Sequence, residues 1–167
     1  MATDMTVPCG DGFVNLRVGA IIQKDGKFLM VGNDTQDYLY SVGGRIQFGE
    51  TAEQAIVREV REETGVTMAV DRLGFVHEDY FLCDLASKRD KVIYEVSFYF
   101  YMQVPEDFVP RCSSVACEGQ KDFLVWVTPE EERTMYPDFF RTELLHPSRE
   151  IRHIVTDERP GAGEVRP

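Results

Sequence analysis

One tryptophan, three histidines and four cysteines are spread through 167 residues, and each scarcity closes off a class of protein. Cys9, Cys83, Cys112 and Cys117 lack the paired spacing of a structural zinc site, and a chain of this length needs no framework of disulfides. Scattered reduced thiols fit a cytoplasmic location. No apolar run approaches membrane-spanning length, and the start MATDMTVPCGDG lacks the charged and apolar segments of a signal peptide. The expectation is a soluble, cytoplasmic protein without a membrane partner. Basic residues are also few: 18 Lys and Arg stand against 29 Asp and Glu, for a net charge of −11. With no basic stripe, a nucleic-acid duplex or an anionic membrane is excluded as a charge-steered partner. No internal repeat or low-complexity block appears, so the expected organisation is one domain over residues 1–167 with an ordered core of about 13–156.

What the chain does have is an acidic helix behind a glycine-rich turn. Thr51 and Gln54 have the spacing of a capping box, and Gly65 suits the left-handed position just past a helix end, so a helix is predicted from Ala52 to Thr64. On its wheel Ala52, Ala55, Ile56, Glu59, Glu62 and Glu63 share a face. That stripe is apolar in its first half and carboxylate in its second, an arrangement an ordinary amphipathic helix avoids. Repulsion among the glutamates, placed at the helix end whose dipole favours cations, is relieved by a hard divalent ion. A solvated, salt-linked surface with Arg58 and Arg61 is the alternative. The preceding loop shifts the balance: Gly43, Gly44 and Gly49 permit tight bends that can carry Glu50 back toward the helix, and Arg58 is placed to orient Glu62 one turn on.

Gly44 to Val66, GRIQFGETAEQAIVREVREETGV, resembles the Nudix box of the Nudix hydrolases at every fixed position. The resemblance implies a loop–helix–loop motif that holds divalent metal and hydrolyses a nucleoside diphosphate linked to another group. It implies an α/β fold as well: a Nudix-like α/β/α sandwich with a mixed β-sheet. By the same resemblance Glu59, Glu62 and Glu63 are metal ligands for Mg²⁺ or Mn²⁺, Glu50 helps at the metal or water, and Arg58 is a structural partner of the glutamates. Several enzymes of this family that act on nucleoside triphosphates carry a further metal-binding glutamate before a short strand containing Trp. That role is carried onto Glu118, which precedes Trp126. The chain departs from the commoner pattern at Val42, where a proline usually precedes the two glycines; no ligand is lost by it.

The expected chemistry is attack of a metal-bound water on a phosphorus of a diphosphate linkage, in a nucleoside triphosphate or a sugar nucleotide. Glu118 tilts the choice toward the triphosphate. The rival is a catalytically weak nucleotide-binding or nucleotide-sensing module on the same fold, which the complete carboxylate set disfavours. For substrate grip the candidates are Arg17 on phosphate, Tyr40 and Phe48 stacking on a base, and the Gly43-Gly44 turn. His77-Glu78-Asp79 is a second source of a base or ligand. Phe139 and Phe140 are candidates for the far side of the pocket.

Elsewhere, Asp25-Gly26 between apolar runs predicts a hairpin. Val92 to Val104 reads as a long, half-buried strand with aromatic residues on both faces, and the parity of Tyr99 and Tyr101 points to a second sheet face covered by a helix or by a partner subunit in a homodimer. Met68 to Phe81 reads as mixed apolar content broken by Gly74. A short strand is expected over Phe123 to Val127, helices near Glu130 to Glu132 and Pro137 to Leu145, and a frayed tail from Asp157.

Overall fold

The computed structural model describes residues 3–34, 37–83, 90–110 and 122–159. Its elements are β1 (Thr6–Cys9), β2 (Gly12–Ile21), β3 (Gln23–Lys24), β4 (Lys27–Asn33), β5 (Tyr38–Ser41), β6 (Gly43–Arg45), α1 (Ala52–Thr64), β7 (Val70–Leu82), β8 (Val92–Met102), β9 (Asp122–Val127), β10 (Thr134–Tyr136), α2 (Phe140–Glu143) and β11 (Arg152–Asp157). The larger sheet runs β1-β2-β8-β7-β11 with β6 also on β2, and the smaller runs β10-β5-β4-β3 with β9 on β4. Both mix directions: β2 with β8, β7 with β11 and β5 with β10 are parallel, the other pairs antiparallel.

The expected α/β/α sandwich is present, and two apolar clusters make it. On one side of the large sheet, Ala55, Ile56 and Val60 of α1 pack on Val18, Ala20 and Phe100. On the other, Phe140 of α2 packs with Ile21, Phe28, Phe75 and Tyr99. The aromatic second parity of β8 is therefore covered from within the chain, with Phe140 edge-on to Tyr99 at 5.4 Å, and requires no partner subunit there.

The predicted hairpin forms as a two-residue turn: Lys24 pairs with Lys27, and Asp25 (φ 52°) and Gly26 (φ 71°) both take left-handed backbone, the combination that matches strand twist. Its first arm is only β3. Upstream, β2 leaves the hairpin for the other sheet, where it pairs along Phe13–Ile21 with β8.

Several expectations need correction. Gly74 does not break the strand; β7 runs through it with register shifts at Val70/Arg72 and Leu73/Phe75, the local insertion of a bulge. Residues Glu130 to Glu132 form no helix, and α2 is a single turn. Asp157 closes β11 instead of opening a frayed tail; that strand pairs in parallel with β7 from Phe75 to Tyr80. No helix of the described residues is long and apolar enough to cross a membrane.

Candidate active site

The site is built where β6 turns into α1. Thr51 caps the helix from both directions: its side chain accepts from the Gln54 N–H and the Gln54 side chain accepts from the Thr51 N–H. At the far end Gly65 (φ 74°) donates its N–H to the Arg61 carbonyl. The helix is thus fixed at both ends, as the spacing predicted, and its glutamates are fixed with it.

Glycine is required at the loop because backbone and carboxylate approach closely. A Cβ on Gly43, at φ 151°, would lie 2.2 Å from the Val18 carbonyl oxygen. A Cβ on Gly44 would lie 2.4 Å from Glu59 Oε1. The bare backbone of Gly44 is the wall against which the Glu59 carboxylate rests. Glu63 reaches the same wall, accepting a hydrogen bond from the Gly43 N–H at 3.3 Å.

Arg58 is the hub. Its Nη2 donates to Glu50 Oε1 at 2.6 Å and its Nε to Glu50 Oε2 at 3.1 Å. Nη1 donates to Glu59 Oε1 at 2.7 Å, and Nη2 also reaches the Arg45 carbonyl at 3.1 Å. The bond to Glu62 is the longest, at 3.3 Å. So the bidentate partner of Arg58 is Glu50, not Glu62 as the spacing suggested. Glu50 Oε1 also accepts from the Gln47 N–H at 2.7 Å. The loop does carry Glu50 back to the helix, and Arg58 holds its carboxyl below the usual range.

Glu59 and Glu63 behave differently from Glu50. Burial pushes the Glu59 carboxyl up against the opposing pull of Arg58. Burial, then repulsion from Glu59, pushes Glu63 up to about 8. The glutamates that share a face on the helical wheel are unequally buried: the Glu62 side chain is 58% exposed while that of Glu59 is 14%. The buried face of α1 continues instead through Val60 and Thr64. Among the described residues no three His, Cys, Asp or Glu side chains already converge as a cation cage. The donor chemistry nevertheless fits a hard divalent ion. Two carboxylates that resist ionising beside each other, with Glu62 one turn away, are an oxygen-only set whose charge such an ion would neutralise. Glu118 lies outside the described residues, as do Cys112 and Cys117.

Of the predicted substrate residues, Arg17 on β2 is drawn into the site. Its Nη1 is 3.8 Å from Glu95 Oε2. Glu95 first, and then Tyr99, Glu59 and Glu63, raise the pKa of its guanidinium against the opposing effect of burial. Tyr40 on β5 donates to Asp122 Oδ1 at 3.2 Å and feels the charge of Glu63. Its neighbour Tyr38 packs edge-on against Tyr136 at 5.4 Å. Phe48 is not brought to Tyr40; it stands on the loop tip, 84% exposed. His77-Glu78-Asp79 lies in the middle of β7. His77 and Asp79 both bond Thr156, while Glu78 bonds Tyr94 and His153. Phe140 is buried in the core, and Phe139 meets His77 edge-on at 5.3 Å. Asn15 and Glu95, which the sequence pattern did not single out, stand beside Arg17, with Asn15 Nδ2 donating to Glu95 Oε2 at 3.2 Å. Their signal was present in the polar Glu95 and Ser97 on the same parity as Tyr99 and Tyr101.

Comparison with known proteins is consistent with this geometry. A family model described as the NUDIX domain matches residues 15–161. A MutT-like protein of Streptomyces ambofaciens is 33% identical over 127 residues, 76% of this chain and 71% of that one. An ADP-ribose pyrophosphatase of Methanocaldococcus jannaschii is 41% identical over 59 residues, 34% of this chain; the match spans only 35% of that protein. A CTP pyrophosphohydrolase of Escherichia coli is 27% identical over 118 residues, 68% of this chain and 76% of that one. Among solved structures, a MutT protein from Bacillus halodurans superposes with a TM-score of 0.60 at 18% identity, covering 87% of this chain and 91% of that one.

Proposed function

This chain belongs to the Nudix hydrolase family and is a Nudix-type pyrophosphohydrolase, and we propose that it hydrolyses a nucleoside triphosphate, with a sugar nucleotide as the second candidate. The observation that carries the proposal is the pairing of Glu59 and Glu63 against the Gly43-Gly44 backbone, braced through Arg58. The triphosphate is favoured over the sugar nucleotide by the likeness to a CTP pyrophosphohydrolase, which extends over 68% of this chain.

In this proposal Glu59, Glu62 and Glu63 hold Mg²⁺ or Mn²⁺, and Glu118 adds a further oxygen. The metal, when bound, supplies positive charge to the phosphate oxygens and makes water more acidic. Each protein residue has a separate task. Glu50 has both carboxylate oxygens engaged by Arg58 and Gln47, which suits a brace of the loop better than a proton acceptor. That leaves Glu118 as the candidate to take the proton of the attacking water. Arg17, which faces Glu59 and Glu63 electrostatically, offers guanidinium donors to a phosphate in the geometry that suits arginine. Tyr40 feels the charge of Glu63, and Tyr38 packs against both Tyr40 and Tyr136, which offers an aromatic surface to a base.

The test is a panel of nucleoside triphosphates, sugar nucleotides and dinucleoside polyphosphates incubated with the protein and Mg²⁺ or Mn²⁺, with products separated by chromatography. The proposal expects pyrophosphate and a nucleoside monophosphate from at least one triphosphate, and at least a hundredfold loss of rate in Glu59→Gln. Equal turnover in wild type and Glu59→Gln would overturn it.

A further inference from the structure

The far side of Arg17 from the catalytic glutamates carries a row of polar residues with no part in phosphate chemistry. Strand registers place Asn15 opposite Glu95, Glu95 opposite Asp79, and Asp79 opposite Thr156, in one line across β2, β8, β7 and β11. The next line toward the glutamates is Arg17, Ser97, His77 and Ile154, and the one after it begins with Gly19 and Tyr99. Gly19 is itself paired with Gly43, whose N–H holds Glu63. From that point to Asn15 is four residues of strand, about 13 Å, with Arg17 midway.

The chemistry of the row is acceptor-rich. Glu95 takes a hydrogen bond from Asn15 Nδ2 at 3.2 Å and another from Ser97 Oγ at 3.4 Å. Its contact with Arg17, at 3.8 Å, is an ion pair too long for a hydrogen bond. Asn15 is 5% exposed, and its Oδ1 is buried without a hydrogen-bond partner. An orphaned acceptor of that kind is costly in a folded protein and calls for a donor to satisfy it. Phe139, edge-on to both His77 and Tyr99, gives the row an aromatic flank.

We propose that Glu95 and Asn15, with Asp79 beside them, form the subsite that selects the nucleoside end of the substrate by accepting a pair of hydrogen bonds from it. A carboxylate favours two parallel donors, and two parts of a nucleotide present such a pair: the N1–H and 2-amino edge of guanine, and the 2′,3′-hydroxyls of ribose. The proposal rests on the nucleotide reading of the same site, with phosphates at Glu59 and Glu63. Glu95 is a specificity residue in it, distinct from a mere counter-ion of Arg17.

The test measures binding of GMP, IMP and dGMP by calorimetry in the presence of EDTA, to wild type and to Glu95→Gln. The full-length protein is used, and circular dichroism checks the fold. IMP lacks only the 2-amino group and dGMP lacks only the 2′-hydroxyl. Wild type is expected to prefer GMP by tenfold or more over IMP if the base is read, or over dGMP if the sugar is read. Glu95→Gln is expected to reduce that preference to less than threefold. Ser97→Ala, which removes one donor to Glu95 and leaves its charge, is expected to shift the same ratio in the same direction by about threefold, and serves if Glu95→Gln does not fold. Equal weakening of all three ligands, or no preference in wild type, overturns the proposal. Because neither metal nor turnover is needed, selective binding without hydrolysis would sink the catalytic reading alone, and hydrolysis without selectivity would sink the subsite alone.

Discussion

Replacing Glu63 by glutamine should stabilise the metal-free protein while destroying its activity. The Glu63 carboxyl is pushed from 4.5 to about 8 by burial and by Glu59, so the folded state binds a proton that the unfolded chain releases between those values. The sign follows from linkage: a raised carboxyl pKa contributes stability that is present below about pH 4.5 and is lost as pH rises toward 8. Each pH unit across that window costs about 1.4 kcal/mol, so at pH 7 ionisable Glu63 costs the apo fold at most about 3.5 kcal/mol. Glutamine keeps the acceptor for the Gly43 N–H and removes the charge. In urea denaturation with EDTA, the Glu63→Gln variant should match wild type at pH 4.5 and exceed it by between about 1 and 3 kcal/mol at pH 7, with an unchanged m-value. Addition of Mn²⁺ should stabilise wild type and leave the variant nearly unmoved. A variant less stable than wild type at pH 7 in EDTA would refute the claim that these carboxylates are held together against their own repulsion.

Gly44→Ala places a Cβ against the flexible carboxylate of Glu59 and not against backbone. The fold should therefore survive, with a melting temperature within a few degrees of wild type, while kcat/KM falls at least tenfold. Arg58→Lys keeps the charge but not the fork that holds Glu50, Glu59 and the Arg45 carbonyl together. Chemical denaturation should show a loss of about 2 kcal/mol, and the metal-activation curve should move to higher concentration. His77 is buried and its pKa is lowered, chiefly by that burial. Thermal stability should thus decline as pH falls below about 6.5, where the unfolded chain gains a proton that the fold resists, and His77→Gln should flatten that slope.

How much of this was legible in the sequence depended on how local the determinant was. The helix Ala52–Thr64 was read to the residue because Thr51, Gln54 and Gly65 act within a turn of its ends. The Asp25-Gly26 turn was legible for the same reason. What escaped was set at long range. β11 has a half-polar sequence, and only its parallel pairing with β7 makes it a strand; β5 and β6 are short segments whose ladder partners lie elsewhere in the chain. Arg58 illustrates the limit within the site. Its spacing pointed to Glu62, yet the loop brings Glu50 closer, and the fork chooses the half-buried carboxylate over one 58% exposed to water. Glu95 was readable only as a polar residue out of place on an aromatic parity, and the strand registers supply the rest.

The central claim is that Glu59 and Glu63 are gathered at the Gly43-Gly44 wall to bind a divalent cation. Titrating Mn²⁺ into the protein near pH 7 by calorimetry, in two buffers of different ionisation enthalpy, tests it most directly. The expected result is uptake coupled to release of a substantial fraction of a proton, because Glu63 must ionise to bind, with both uptake and release abolished in Glu63→Gln. Uptake that is absent, or that proceeds unchanged and without proton release in that variant, would contradict the account.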